Sequence, residues 1–156
     1  MLYKEAEVER AFKGRAILAG KLSGKALVCR RGFNSLASFY KSMLMGAKKA
    51  VCSDKDNPDL FNKIITGKII CLPITTGSTS AGATWDKVAR MRIGPRAMLF
   101  SHTVDSLAAA GLIIADIWAG QRIVTIDRLG DEFLDYVAEG DRIHVREDGM
   151  VIVMKK

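Results

Sequence analysis

Short apolar runs, each stopped by glycine, proline or charge, alternate along this chain with segments whose apolar residues recur at helical spacing. Ile69 to Leu72 is such a run, of the kind that makes a buried strand, and Pro73 ends its ladder because it has no N–H to donate. A small polar loop follows through Thr75, Thr76, Gly77, Ser78, Thr79 and Ser80. Trp85, Val88, Ala89 and Met91 then mark an amphipathic helix from about Thr79, stopped near Gly94-Pro95. Upstream, Arg15–Leu18 and Ala26–Cys29 flank Gly20 and Gly24 and read as a strand pair with a glycine-bearing connection. Asn34 or Ser35 can cap a helix carrying Leu36, Phe39, Tyr40, Met43 and Leu44, stopped by Gly46. A Met-rich face of this kind is ordinarily core. Ala50–Ser53 is a short strand candidate, and Ser53–Lys63 is the most loop-like stretch.

Downstream, Ala97–Phe100 reads as a buried strand and Val104–Ala115 as an alanine-rich helix packed closely on something. Arg122–Ile126 is a further strand, and Asp131–Val137 a short helix stopped by Gly140. Asp141–Glu147 and Met150–Met154 form a terminal hairpin across Asp148-Gly149, the strongest hairpin signal in the sequence. Strands outnumber helices and come both as hairpins and as strand–helix–strand units, so the expected class is α/β. No repeat, low-complexity tract or linker divides the chain, and residues 1–156 are expected to form one domain.

Composition narrows the function classes. The 156 residues are 49% hydrophobic and 26% charged, enough for one core. No segment reaches the length of a membrane span; the most apolar, Leu107–Ala115, is bracketed by Asp105 and Asp116. The first residues lack the apolar core of a secretion signal, which points to a cytoplasmic protein with no membrane partner. A net charge of +7 raises the question of nucleic acid. The basic residues are spread out, however, in doublets such as Arg30-Arg31 and Lys48-Lys49, with no interleaved aromatics to stack bases. A solvated basic surface, or one facing an acidic partner, is the better reading.

Metal chemistry finds little support. Cys29, Cys52 and Cys71 are far apart and read as small buried hydrophobes, not as a zinc or disulfide framework. His102 and His144 lie in no ligand pattern, and Asp54, Asp56 and Asp59 lack the glycine and distal glutamate of a calcium loop, so they are assigned to a solvated turn. Three cysteines cannot house an iron–sulfur cluster in the usual all-thiolate way.

The loop between the Ile69–Leu72 strand and the following helix is where chemistry concentrates. Strand, glycine-bearing hydroxyl loop and helix present a side chain at the top of a sheet, and unpaired N–H groups at the helix start favour negative charge nearby. From this stretch alone, Ser78 or Thr79 as a helix cap is the favoured account.

Taken in order, four stretches resemble the small subunit, or swivelling domain, of the aconitase X group of dehydratases, which includes phosphomevalonate and cis-3-hydroxyproline dehydratases. They are Arg15-Ala16-Ile17 with Gly20, Gly24 and Ala26-Leu27-Val28; Gly67-Lys68-Ile69-Ile70 through Leu72-Pro73 to Gly77-Ser78; Pro95-Arg96-Ala97-Met98 with the alanine-rich helix; and Val124–Asp127, the acidic helix and Gly140–Val145. The resemblance implies a compact swivelling β/β/α domain, like the small domain of aconitase. It implies closure over a large aconitase X-type subunit that holds iron or an iron–sulfur centre, with no cofactor on this chain alone. The reaction it implies is loss of water from a small hydroxy acid, with Ser78, the serine after the loop glycine, as proton acceptor. Thr76, Gly77, Thr79 and Ser80 are then the substrate-binding candidates, with helix capping and loop bonding as the competing account.

The chain departs from the family pattern at Thr76, where members usually carry Lys or Arg, and at Phe33–Tyr40, which is bulkier than the family's glycine-rich loop. No basic residue adjoins Ser78 in sequence. Two other readings stand beside this one. Ser78 to Gly82 resembles a serine hydrolase's nucleophile elbow with its first glycine replaced, for which only His102 or His144 is available as base. The same domain can also serve as a stand-alone interaction or regulatory module.

Overall fold

In the computed structural model, residues 8–77 and 80–156 are described. The chain runs β1 (Glu9–Lys13), β2 (Arg15–Leu18), β3 (Leu22–Val28), β4 (Phe33–Asn34), α1 (Ser35–Leu44), β5 (Ile69–Leu72), β6 (Thr75–Thr76) and α2 (Ala81–Arg90). It continues through β7 (Ala97–Phe100), α3 (Ser106–Ala119), β8 (Val124–Asp127), α4 (Asp131–Tyr136), β9 (Arg142–Val145) and β10 (Met150–Met154). Among the described residues, eight strands form one sheet in the order β1-β10-β9-β3-β5-β7-β8-β2, and β4 pairs with β6 apart from it.

The middle of the sheet is parallel. β3, β5, β7 and β8 run side by side, with Ile70 opposite both Leu27 and Met98, and Leu99 opposite Ile126. Parallel strands of this kind are covered on both faces and read as unbroken apolar runs. Every residue of β5, β7 and β8 is indeed buried. Alternate side chains enter two cores. Ile70, Leu72, Met98 and Phe100 join Trp85, Phe33 and Phe39 under the helices. Ile69, Cys71, Leu99 and Ile126 face Phe12, Phe133, Val145 and Val151 inside the curve of the sheet.

The terminal hairpin forms as the Asp-Gly turn predicts, with Val151 opposite Val145 and Gly149 at φ 85°. Asn34 caps α1, its side-chain oxygen accepting from the Ala37 N–H at 3.1 Å. Cys29, Cys52 and Cys71 are buried free thiols, as expected.

Several expectations change. β2 and the 26–29 run are not a pair: β2 lies on β8 at one edge, and β3 sits between β9 and β5. Gly20 and Gly24 serve close packing instead of a turn; a Cβ on Gly20 would lie 2.4 Å from a Val124 methyl, and one on Gly24 3.0 Å from Ile69 Cδ1. Ala50–Ser53 makes one bridge, Val51 to Ile64, and no strand. β1 shows one buried side chain, Phe12, and therefore no apolar run to read in the sequence. α3 extends past Asp116 to Ala119, with Gly120 at φ 64° as its stop, and Asp116 is accommodated within it by pairing with Arg122 at 2.7 Å. The α1 pattern is only half core: Phe39 is buried, while Leu36, Tyr40 and Leu44 are exposed. The Asp54–Asp59 turn is less solvated than its composition suggests. Asp54 is buried and accepts from the Asp56 N–H at 3.0 Å, and Asp59 accepts from the Arg30 N–H at 2.8 Å.

Candidate active site at the strand ends

Ligands in open parallel sheets gather beyond the carboxyl ends of the strands. At that edge the chain leaves β3 as Cys29–Gly32, β5 as Pro73–Gly77, β7 as Ser101–Asp105 and β8 as Arg128–Gly130. Hydrogen bonds strap these exits together. The Ser101 N–H donates to Leu72 O at 3.0 Å, the Cys29 N–H to Cys71 O at 2.8 Å, and the Arg128, Leu129 and Gly130 N–H groups to the carbonyls of His102, Phe100 and Ser101.

The Thr75–Gly77 stretch is fixed from two sides. β6 lies parallel to β4, with Thr75 opposite Phe33 and Thr76 opposite Asn34. The Thr75 hydroxyl donates to Asp105, whose other oxygen accepts from the Ala108 N–H at 2.9 Å and so caps α3. Gly77 has φ 114°, a region L side chains avoid, and a Cβ there would stand 3.1 Å from the Asn34 carboxamide. Thr76 presses on Gly32, with 2.3 Å between its methyl and the site of a Gly32 Cβ. Gly32 thus leaves room for the Thr76 side chain, and the positive φ at position 77 favours glycine there.

A cavity of about 260 Å³ opens here, lined in part by Thr75, Thr76, Gly77, Trp85, Asp105 and Leu107. Of the candidates from the sequence, Thr76 and Gly77 lie on its wall. Ser80 is exposed at the N-cap position of α2, its carbonyl accepting from the Thr84 N–H at 3.0 Å. Ser78 and Thr79 lie outside the described residues. The α2 helix itself runs from Ala81 to Arg90, shorter at both ends than its sequence pattern suggests.

Each histidine has a side-chain partner, His102 at this same edge and His144 on β9. His102 Nε2 is 2.7 Å from Asp131 Oδ1, and His144 Nδ1 is 2.6 Å from Ser23 Oγ on the neighbouring strand. His144 stands on β9, between β10 and β3, so it is not on an edge strand. Among the described residues, no three His, Cys, Asp or Glu side chains gather where they could hold a metal ion. Burial pushes the thiols of Cys71, Cys29 and Cys52 up from their usual pKa, which keeps them protonated and poor as ligands or nucleophiles.

Sequence reasoning missed three residues of this edge. Asn34 was legible only as a helix cap and Asp105 only as a charge bracketing an apolar run, because their contact with the Thr75–Gly77 loop is made across the fold. Arg31 was read as half of a basic doublet. Its partner Arg30 is spent on the Leu134 and Val137 carbonyls. Arg31 is exposed and precedes Gly32, the residue that packs on Thr76.

Comparison with known proteins identifies relatives over most of the chain. The phosphomevalonate dehydratase small subunit of Archaeoglobus fulgidus is 26% identical over 137 residues, covering 88% of this chain and 92% of that subunit. The subunit of the same name from Thermococcus sibiricus is 26% identical over 135 residues, 86% of this chain and 98% of the relative. Among solved structures, aconitase X of Thermococcus kodakaraensis in its holo form superposes with a TM-score of 0.77 at 23% identity, covering 94% of this chain and 99% of that one. That likeness is one of fold. A family model described as the aconitase X swivel domain matches residues 11–154, and the chain belongs to that family.

Proposed function

We propose that this chain is the small subunit of a cytoplasmic hydro-lyase that removes water from a small hydroxy acid, working as a heterodimer with a large aconitase X-type subunit. In this reading the whole chain acts as one swivelling domain that closes the large subunit's active site. What carries the reading is the glycine-bearing hydroxyl loop. It is pinned by β4 and Asp105 at the carboxyl ends of the parallel strands, beside an open cavity. The pinning of its N-terminal half supports a role in which the following residue, Ser78, must be delivered to a fixed position.

Ser78 takes the proton from the carbon next to the substrate carboxylate. A serine hydroxyl is a poor base, so its alkoxide needs oriented donors and a nearby cation in a dry site. The N–H groups of the loop, with the hydroxyls of Thr76, Thr79 and Ser80, supply donors to the alkoxide and to the substrate. Gly77 lets substrate approach the backbone, and Arg31 supplies positive charge that sequence adjacency does not. Iron on the large subunit supplies Lewis-acid pull on the departing hydroxyl. The match to the aconitase X swivel domain over residues 11–154 favours this reading over the serine-hydrolase alternative.

Co-expression with a large aconitase X-type subunit, followed by metal analysis and a dehydration assay on small hydroxy acids, tests the proposal. An iron-containing heterodimer that releases water is expected. A chain that stays alone, or a complex inert on every hydroxy acid offered, overturns it.

A further inference from the structure

A surface helix of a globular protein normally has one apolar stripe, turned to the core. α3 has two. Ala108, Gly111, Leu112 and Ala115 are buried and pack on α2 and the sheet. On the other side Leu107, Ala110, Ile113, Ile114, Ile117 and Trp118 form a second stripe along the 14-residue helix. Leu107 is 43% exposed, Ile117 69% and Trp118 70%. Exposed apolar surface gathered in this way marks an interaction site. None of the six stripe residues is charged, and Asp116 on the same helix is paired with Arg122 at 2.7 Å. A partner face that is itself apolar and free of charge suits the stripe.

The stripe begins at the candidate site. Leu107 is both its first residue and part of the wall of the cavity that holds Thr75, Thr76 and Gly77. A partner that covers the loop edge therefore meets the stripe at once, and can follow it for the roughly 20 Å length of the helix. We infer that the outer face of α3, from Leu107 to Trp118, is the docking surface for the large subunit of the proposed hydro-lyase, which seats an apolar, uncharged face on it. The inference rests on the proposed function for the identity of the partner.

The two tryptophans give a direct test, because Trp85 is fully buried and Trp118 is 70% exposed. The full chain is labelled with 5-fluorotryptophan and mixed with unlabelled large subunit, and the fluorine resonances are followed together with their H₂O/D₂O solvent shift. The expected result is that the Trp118 signal moves and loses its solvent shift in the complex while Trp85 stays unchanged. Ile117→Glu, checked for an unaltered melting temperature, is expected to weaken association at least tenfold. A complex in which Trp118 keeps its full solvent shift overturns the inference and leaves the proposed function standing if that complex dehydrates hydroxy acids. A complex with Trp118 protected but no dehydration supports the docking surface and counts against the proposed reaction. Protection of Trp118 in the isolated chain, with a dimer by light scattering, assigns the stripe to a second copy and also overturns the inference.

Discussion

Gly111 of α3 and Gly82 of α2 meet backbone to backbone: a Cβ on Gly111 would stand 2.9 Å from the Gly82 Cα and 2.9 Å from Trp85 Cδ1. Gly82 lies in the first turn of α2, immediately after the hydroxyl loop, so this contact sets where that helix begins. Gly111→Ala gains about 1 kcal/mol of helix propensity but introduces overpacking of roughly 1–3 kcal/mol. The clash is with backbone and with an indole wedged against Phe33 and Phe39, neither of which can yield cheaply. The expected outcome of chemical denaturation is a net loss of up to about 2 kcal/mol, with a fall in turnover of the reconstituted enzyme as the start of α2 shifts.

Asp105 joins two jobs, capping α3 through the Ala108 N–H and holding the Thr75 hydroxyl. Asp105→Ala removes both and is expected to cost about 1 kcal/mol, the usual worth of such a cap, and to lower turnover because Thr75 loses its anchor. Asp105→Asn keeps an acceptor oxygen for the Ala108 N–H but puts an NH2 donor against the Thr75 hydroxyl, which must then accept, so it is expected to retain most of the stability and to lower turnover less than Asp105→Ala does. Thermal unfolding of the isolated chain and steady-state assay of the reconstituted enzyme check the pair.

Much of the fold was legible because the parallel strands announce themselves. Ile69–Leu72 and Ala97–Phe100 are unbroken apolar runs since both their faces are covered, and Asp148-Gly149 dictates its own turn. The misreadings have a common cause. Gly20 and Gly24 look like turn residues, yet their lack of a side chain is used by Val124 and Ile69, residues distant in sequence. β1 escaped notice because Phe12 alone points inward. At the site, the loop could be found from Pro73 and Gly77, whereas Asn34 and Asp105 reach it only through β4–β6 pairing and the α3 cap. The outer face of α3 was read as packed because apolar composition does not say which side meets the core.

The C-terminus is clamped by Asp141. Burial acts to raise the pKa of this carboxyl, but the bond from Lys155 at 2.9 Å and those from the Ala138 and Lys156 N–H groups outweigh it and hold the group below its ordinary value. A carboxyl depressed in the folded state is more protonated in the unfolded chain as pH falls below about 4, so its contribution is fully present above that pH and is lost as pH drops through the folded value. Asp116 and Asp148 are depressed in the same sense. Stability measured from pH 6 to pH 2 is expected to fall more steeply for the native sequence than for Asp141→Asn. The variant is expected to be the less stable of the two at pH 6.

The central claim is that the hydroxyl of Ser78 receives the substrate proton in a site completed by another polypeptide. The most direct measurement is turnover of the reconstituted heterodimer carrying Ser78→Ala, with association and iron content measured on the same sample. The account predicts a complex of unchanged affinity and iron content whose rate constant falls by about 10²–10⁴-fold, the range for loss of a positioned acid–base group. Turnover equal to that of the native pair would contradict it.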